Sequence, residues 1–316
     1  MEQKNKRNQL MVKKGIAMNK SRIQKKVRKG MDETIFYACN TVFLITVSIL
    51  FLYPIIYVFS ASLSKPVHLM LGDIVLFPKG FTFDSYKEAI RIPNFWLSYW
   101  NSIHITAIGT IVNMFFTVTG AYVLSKRELK GRTFLIIAVV VVMWFDPGLI
   151  PRYLNFRSLH LINKYTAVIL GFSVNTFNLI ILKSFFETVP KSLEESARID
   201  GAGQWTILRK IYIPLSGSAL TTVALFYAVS RWNGYFWTMI LLTDDKKAPL
   251  QVLLKKLIVE KNVTAEAGSL MNKAGTASSD TIIYAVIVLS IIPIMLVYPY
   301  VQKFFRKGIT LGAVKG

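Results

Sequence analysis

Six apolar runs, each near the roughly 20 residues that cross a bilayer core, constrain the fold more than any other feature. They predict membrane spans at about Thr34–Ser60, Tyr99–Ser125, Thr133–Ile150, Tyr165–Phe186, Gly217–Leu242 and Asp280–Gln302. The expected fold class is an all-α membrane protein. The first run, from Ile35 to Phe59, is too long for a signal-peptide core and lacks a small-residue cleavage site, so it reads as a retained span. Composition agrees: 53% of residues are hydrophobic, 17% are charged, and the mean hydropathy is +0.44.

The net charge is +21. In a soluble chain this would suggest nucleic acid. Here the cations sit in short loops beside apolar spans, so membrane topology is the better reading and no nucleic-acid partner is expected. With the N-terminus inside, the cytoplasmic pieces hold 24 of the 38 Lys and Arg residues and the outer pieces 13. That bias places both termini in the cytoplasm. Residues 1–33 read as a basic cytoplasmic tail attracted to membrane lipid, and 34–316 as one six-helix domain. Between spans, 61–98 reads as a small ordered cap containing Pro66, Pro78 and Pro93. The 244–279 loop has an amphipathic piece from Gln251 to about Lys261 and then turns small and polar.

Chemistry is sparse. Cys39 is the single cysteine and lies in a span, so no internal disulfide forms. His68, His104 and His160 are far apart and make no metal-spaced pair. There is no Gly-Lys dipeptide, hence no phosphate-binding P-loop, and no GxSxG elbow. Glu194–Glu195 and Asp244–Asp245 are adjacent pairs, and neighbours on a helix do not face each other. The chain is expected to be no enzyme, with no catalytic residue, metal or cofactor of its own. Uphill transport would then draw on ions or on a partner. Ion-coupled carriers usually place acids inside spans. Here only Asp146, near the end of span 3, comes close. A partner ATPase is the first reading; an ion-coupled carrier or channel for a small polar solute is the alternative.

One loop, 188–216, stands out between spans 4 and 5. From Lys191 to Ser216 it reads KSLEESARIDGAGQWTILRKIYIPLS. Ser192 followed by Glu195 has the capping-box spacing and predicts a helix start. That helix would stop near Asp200 at Gly201, which tolerates the left-handed turn. A second helix would run from about Gln204 to Tyr212, ahead of Pro214. The result is a helix–turn–helix knob wedged between two spans.

The knob resembles the EAA loop of ABC importer permeases, in which EAA is followed after three residues by Gly and, nine residues later, by I-x-L-P. Glu195, Ser196 and Ala197 stand for EAA, Gly201 for the glycine, and Ile211 to Pro214 for the close. Asp200-Gly201-Ala202 is also typical of that family. TGAYVLSKRELKGR (119–132), FDPGLIPRYL (145–154), NTFNLIILKSFFETVP (175–190) and WNGYFWTMILLTDDKKAPLQVLL (232–254) are similar to the oligosaccharide branch, like the second permease of the maltose system. The resemblance covers about 34–316. It implies a type I importer permease in a bacterial cytoplasmic membrane, paired with a second homologous permease. Two ATPase subunits would bind ATP and Mg, and an extracellular solute-binding protein would deliver an oligosaccharide. Glu195, Ser196, Ala197, Asp200, Gly201, Ala202 and Pro214 would form the ATPase-coupling surface, with Glu195 as the polar contact and Ala197 and Ala202 seated in the cleft. A loop at 265–279 would reach the binding protein.

For the substrate path, Arg231 is the most informative residue. It lies 14 residues into span 5, about 21 Å along. An Arg at a helix centre costs roughly 2.5–3.5 kcal/mol to insert, so it should face a cavity or a partner. Tyr227, Arg231, Tyr235 and Thr238 share one helical face. Asn233 is next to it, and Asn175 and Asn178 add amides from span 4. Aromatic faces and hydrogen-bonding edges suit sugars. Arg231 hints at an acidic oligosaccharide. Interhelical hydrogen bonding and snorkelling to the surface are the competing readings.

Overall fold

The computed structural model describes residues 31–266 and 279–313, and all regular elements among them are helical. The basic tail 1–30 and nearly all of the 265–279 loop lie outside the described residues. The chain divides into two compact units between Ile56 and Tyr57. The first holds most of α1 (Met31–Ser62). There Thr46 and Ser48 donate their hydroxyl protons to the carbonyls of Val42 and Leu44, one turn back. Neither polar group then needs an outside partner in an apolar setting.

The second unit runs α2 (Pro66–Met70), α3 (Asp84–Arg91), α4 (Phe95–Ser125), α5 (Arg132–Trp144), α6 (Leu149–Ser158), α7 (Tyr165–Leu170) and α8 (Thr176–Phe186). It continues through α9 (Lys191–Ile199), α10 (Gln204–Ile207), a π-helical segment (Leu208–Tyr212), α11 (Ile213–Leu215), α12 (Gly217–Asn233) and α13 (Phe236–Leu241). A 3-10 turn (Asp245–Lys247), α14 (Leu250–Glu266) and α15 (Ser279–Ala313) complete it.

α4 is the axis of this unit and packs against α7, α8, α12 and α14. Its buried positions include Ser98, Ser102, Gly109, Asn113, Thr117 and Ala121. Small and hydroxyl side chains let helix backbones approach where lipid removes the hydrophobic drive. Apolar packing closes the end nearer the knob, where Val118, Leu182, Phe186, Ile207, Leu208 and Val223 share one cluster. The 61–98 segment is ordered as expected. The Ser60 hydroxyl donates to the Leu76 carbonyl at 2.6 Å, and the Lys79 amide donates to the Ser64 hydroxyl at 3.0 Å. The amphipathic piece after Pro249 lies within α14.

Three stretches are long and apolar enough to cross a membrane as single helices: Ile35–Ser62, Phe95–Ser125 and Asp280–Pro299. Two bent pairs, α5 with α6 and Gln204–Leu215 with α12, raise the candidates to five among the described residues. Three of the expected spans are not continuous helices. Thr133–Ile150 is not one helix: α5 ends at Trp144 and α6 departs at 114°. Pro147 disfavours helical geometry at Asp146, and Gly148 takes φ +82° with ψ −179°, a region open to glycine. Tyr165–Phe186 is interrupted between Leu170 and Thr176. Gly217–Leu242 breaks at Gly234, whose carbonyl accepts the Thr238 hydroxyl at 3.0 Å. A helix end without water needs donors and acceptors from elsewhere, and the break between α7 and α8 finds them in α12.

Candidate functional site

The knob begins two residues earlier than the capping box requires. α9 starts at Lys191 with Pro190 in the cap position, so Ser192 falls inside the first turn and caps nothing. The box between Ser192 and Glu195 does not form, and Glu195 faces solvent. The helix end matches expectation. Gly201 has φ +79°, its amide donates to the Arg198 carbonyl at 3.0 Å, and the Ala202 amide donates to the Ala197 carbonyl at 2.9 Å. This is a Schellman closure, and a Cβ at Gly201 would meet nothing but its own backbone strain. The second helix passes through the π segment before Pro214. Proline lacks an amide proton and crowds the carbonyl four residues back, and a π turn absorbs that mismatch.

The carboxylate that holds the knob is Glu194, which the sequence reading passed over. It is 7% exposed. Lys126 at the end of α4 and the Tyr212 hydroxyl donate to its Oε2 at 2.6 and 2.7 Å, and Arg198 donates to Oε1 at 2.6 Å. The Lys126 ammonium also lies over the rings of Tyr122 and Tyr212, at 4.0 and 4.4 Å. Burial alone would raise the Glu194 carboxyl. The hydrogen bonds from Lys126, Tyr212 and Arg198 outweigh it and hold the group down to about 2 from 4.5. Its folded form therefore favours the carboxylate. The contribution is complete above pH 4.5 and is lost as pH falls through 2, about 3 kcal/mol in all. The protection of the α9 amides against exchange should fall over that acid window in the native protein. In Glu194→Gln that protection should be low already at pH 6 and change little on acidification.

Of the expected coupling residues, Glu195, Ser196, Asp200, Gly201 and Pro214 are exposed. Ala197 and Ala202 are instead half-buried, packed on the cluster that joins the knob to α4, α8 and α12, with the Schellman bond between them. They support the knob's shape. The outward face carries two large apolar side chains, Ile199 at 86% exposure and Trp205 at 66%.

The expected path residues converge. Asn175, Asn178, Tyr227, Arg231, Asn233 and Tyr235 all line one cavity of about 930 Å³ between α4, α5, α6, α8, α12 and α13. Their states differ. Tyr227 is 3% exposed. Its hydroxyl pairs with Thr117 at 2.6 Å and accepts the Asn175 amide at 2.9 Å. Asn175 Oδ1 caps α8 by accepting the Asn178 amide at 3.1 Å. These groups are occupied by the fold. The side chains of Asn178, Asn233 and Tyr235 have no hydrogen-bond partner among the described residues and face the cavity with their capacity unused.

Arg231 is a clamp. Its guanidinium donates to the carbonyls of Val168, Ile169 and Phe172, at the broken end of α7, and to Asn113 Oδ1 at 2.8 Å. Gly109 leaves room for this crossing, since a Cβ there would lie 3.0 Å from Nε. A helix end carries unpaired carbonyls and partial negative charge, and a guanidinium with five donors meets both. Of the readings left open for Arg231, the interhelical one describes its contacts. Sequence reasoning missed Arg152 of α6, Phe172 and Trp237, which also line the cavity. Only the chain reversal at 145–148 brings α6 there.

The family model described as binding-protein-dependent transport system inner membrane component matches residues 132–311. Protein LplC of Bacillus subtilis (strain 168) is 42% identical over 89% of this chain and 95% of its own. The polygalacturonan/rhamnogalacturonan transport system permease protein YtcP of the same organism is 41% identical, over 87% and 96%. A crystal structure of a bacterial ABC transporter involved in the import of the acidic polysaccharide alginate contains a chain 43% identical to this one. It superposes with a TM-score of 0.81 over 87% of this chain and 98% of that one.

Proposed function

The chain belongs to the binding-protein-dependent transport system inner membrane components, and we infer from that premise how it works within its importer. It is a permease subunit of an ABC carbohydrate importer, a multi-pass inner-membrane protein that moves solute and performs no catalysis. In our reading it crosses the membrane six times, by α1, α4, α5, α7 with α8, α12 with α13, and α15. Both termini are cytoplasmic, in keeping with the Lys and Arg bias. The tail 1–33 then lies against lipid, and 188–216 projects from the domain 34–316 into the cytoplasm.

There the knob seats on one of two ATPase subunits that bind ATP and Mg. Glu195, Ser196, Asp200 and Gly201 lie on its outward face. Ile199 and Trp205 serve as anchors, since large exposed apolar groups on a charged loop mark a docking surface. A second homologous permease completes the cavity, and an extracellular binding protein loads it. The solute is an oligosaccharide carrying carboxylates. Relatives bearing the names of polygalacturonan and alginate transport support this, as does a cavity wall with two arginines and no acidic residue among its described lining. The convergence of six path residues on one cavity carries the assignment. The test is uptake of trigalacturonate by proteoliposomes holding the complete transporter. Uptake should require internal ATP and external binding protein. Accumulation driven by an ion gradient without ATP would replace this reading with an ion-coupled carrier.

A further inference from the structure

We infer that Arg152, and not Arg231, is the selectivity residue that meets the sugar's charge, and that the site takes the free uronic acid in preference to its ester. The inference rests on the function proposed above. Arg152 and Arg231 are the two charged residues on the described cavity lining. Arg231 has four acceptors from the fold: three carbonyls and an amide oxygen. It has little left to offer a ligand.

Arg152 is placed differently. Its guanidinium carbon lies 5.2 Å from the centroid of the Trp237 ring, a cation–π contact that holds the group beside the cavity. One nitrogen, NH2, donates to Asp146 Oδ1 at 3.2 Å. The remaining donors have no partner among the described residues. Asp146 is itself tied to the Gly148 amide at 2.8 Å and is 72% exposed, outside the cavity lining. It holds one guanidinium nitrogen of Arg152 and leaves the other donors of this lining residue for a ligand. Around Arg152 stand Trp237, Phe172, Phe236 and Tyr235, with the amides of Asn178 and Asn233. Phe172 and Phe236 contact the Trp237 ring at 5.8 and 5.7 Å, so the aromatic wall is continuous. A pyranose ring lies on such a wall, its hydroxyls reach amides, and its carboxylate meets a flat guanidinium edge with paired donors.

A methyl ester has nearly the shape of the acid but no charge. The ester lacks the charge-assisted bond, so esterified oligosaccharides are poor cargo, and a de-esterifying reaction must precede import. The experiment measures uptake of trigalacturonate and of its full methyl ester in proteoliposomes holding the complete transporter, with the native protein, Arg152→Gln and Arg152→Lys. The same binding protein serves every arm, so its own preference cancels in the comparison. Rates are referred to the amount of assembled transporter. Arg152→Gln should lower the acid-to-ester uptake ratio about tenfold, mainly through KM for the acid, and Arg152→Lys should recover part of it. An unchanged ratio, or equal loss of both sugars, overturns the inference and leaves the proposed function standing. If neither sugar enters through the native transporter, the proposed function falls, and this inference with it.

Discussion

Replacing Arg231 with leucine should nearly abolish the folded protein. The substitution strips the donor from three backbone carbonyls and from Asn113 within the membrane domain. Each buried acceptor left unpaired costs about 1–3 kcal/mol. The cavity admits some water to the α7 break, which relieves part of that cost. The loss should still exceed about 3 kcal/mol, a large fraction of a typical stability. The measure is the monodisperse fraction of detergent-solubilised transporter and its thermal midpoint. Arg231→Lys should fall between the two, since an ammonium reaches fewer of four divergent acceptors than a planar guanidinium. A leucine variant that accumulates, melts and transports like the native protein would exclude the clamp.

Glu194→Ala should separate ATP hydrolysis from transport. The substitution strands the buried Lys126 ammonium and frees Tyr212 and Arg198 from their shared acceptor. Removing one member of a buried charged pair costs about 3–5 kcal/mol. The apolar packing of Ile207, Leu208 and Tyr212 against α4, α8 and α12 is untouched, so the protein should still assemble. The knob, however, would lose its polar tie to the end of α4. Uptake per assembled transporter should drop more than tenfold while basal ATPase activity remains. Glu195→Ala, one residue on, should leave the knob's amide exchange unchanged, because Glu195 faces solvent. Equal effects of the two alanines on exchange would contradict the assigned roles.

The contrast between these neighbours shows what the sequence makes legible. Hydropathy finds α1, α4 and α15 because each is long and lacks a break strong enough to stop it, even with Pro54 inside α1. Gly201 announces its turn because a left-handed residue leaves a chemical trace. Glu194 and Glu195, by contrast, are the same residue type, about 100° apart around one helix. What buries the first is Lys126, 68 positions away, and Tyr212, 18 away, and no local pattern reports them. The capping box failed by two residues of register, set by Pro190. The breaks at 171–175 and at Gly234 were hidden inside apolar runs. Hydropathy records whether residues dissolve in lipid and says nothing of whether the backbone is continuous. Arg231 was visible as an anomaly, but the break it serves lies in another helix. The cavity residues were found from their chemistry. Which of them remained free for a ligand depended on hydrogen bonds the sequence does not show.

The clamp has an electrical consequence. A guanidinium stays protonated, so Arg231 holds a fixed positive charge beside the cavity. A monovalent cation drawn to within about 4 Å of it meets a repulsion of roughly 4 kcal/mol at an effective dielectric of 20. An importer must open wide enough for a sugar chain without discharging the proton and sodium gradients across its membrane. Here the group that repairs a broken helix would also repel such cations. A transporter cross-linked in its open form should therefore pass chloride ahead of potassium in a planar bilayer, and a reversal potential favouring potassium would refute it.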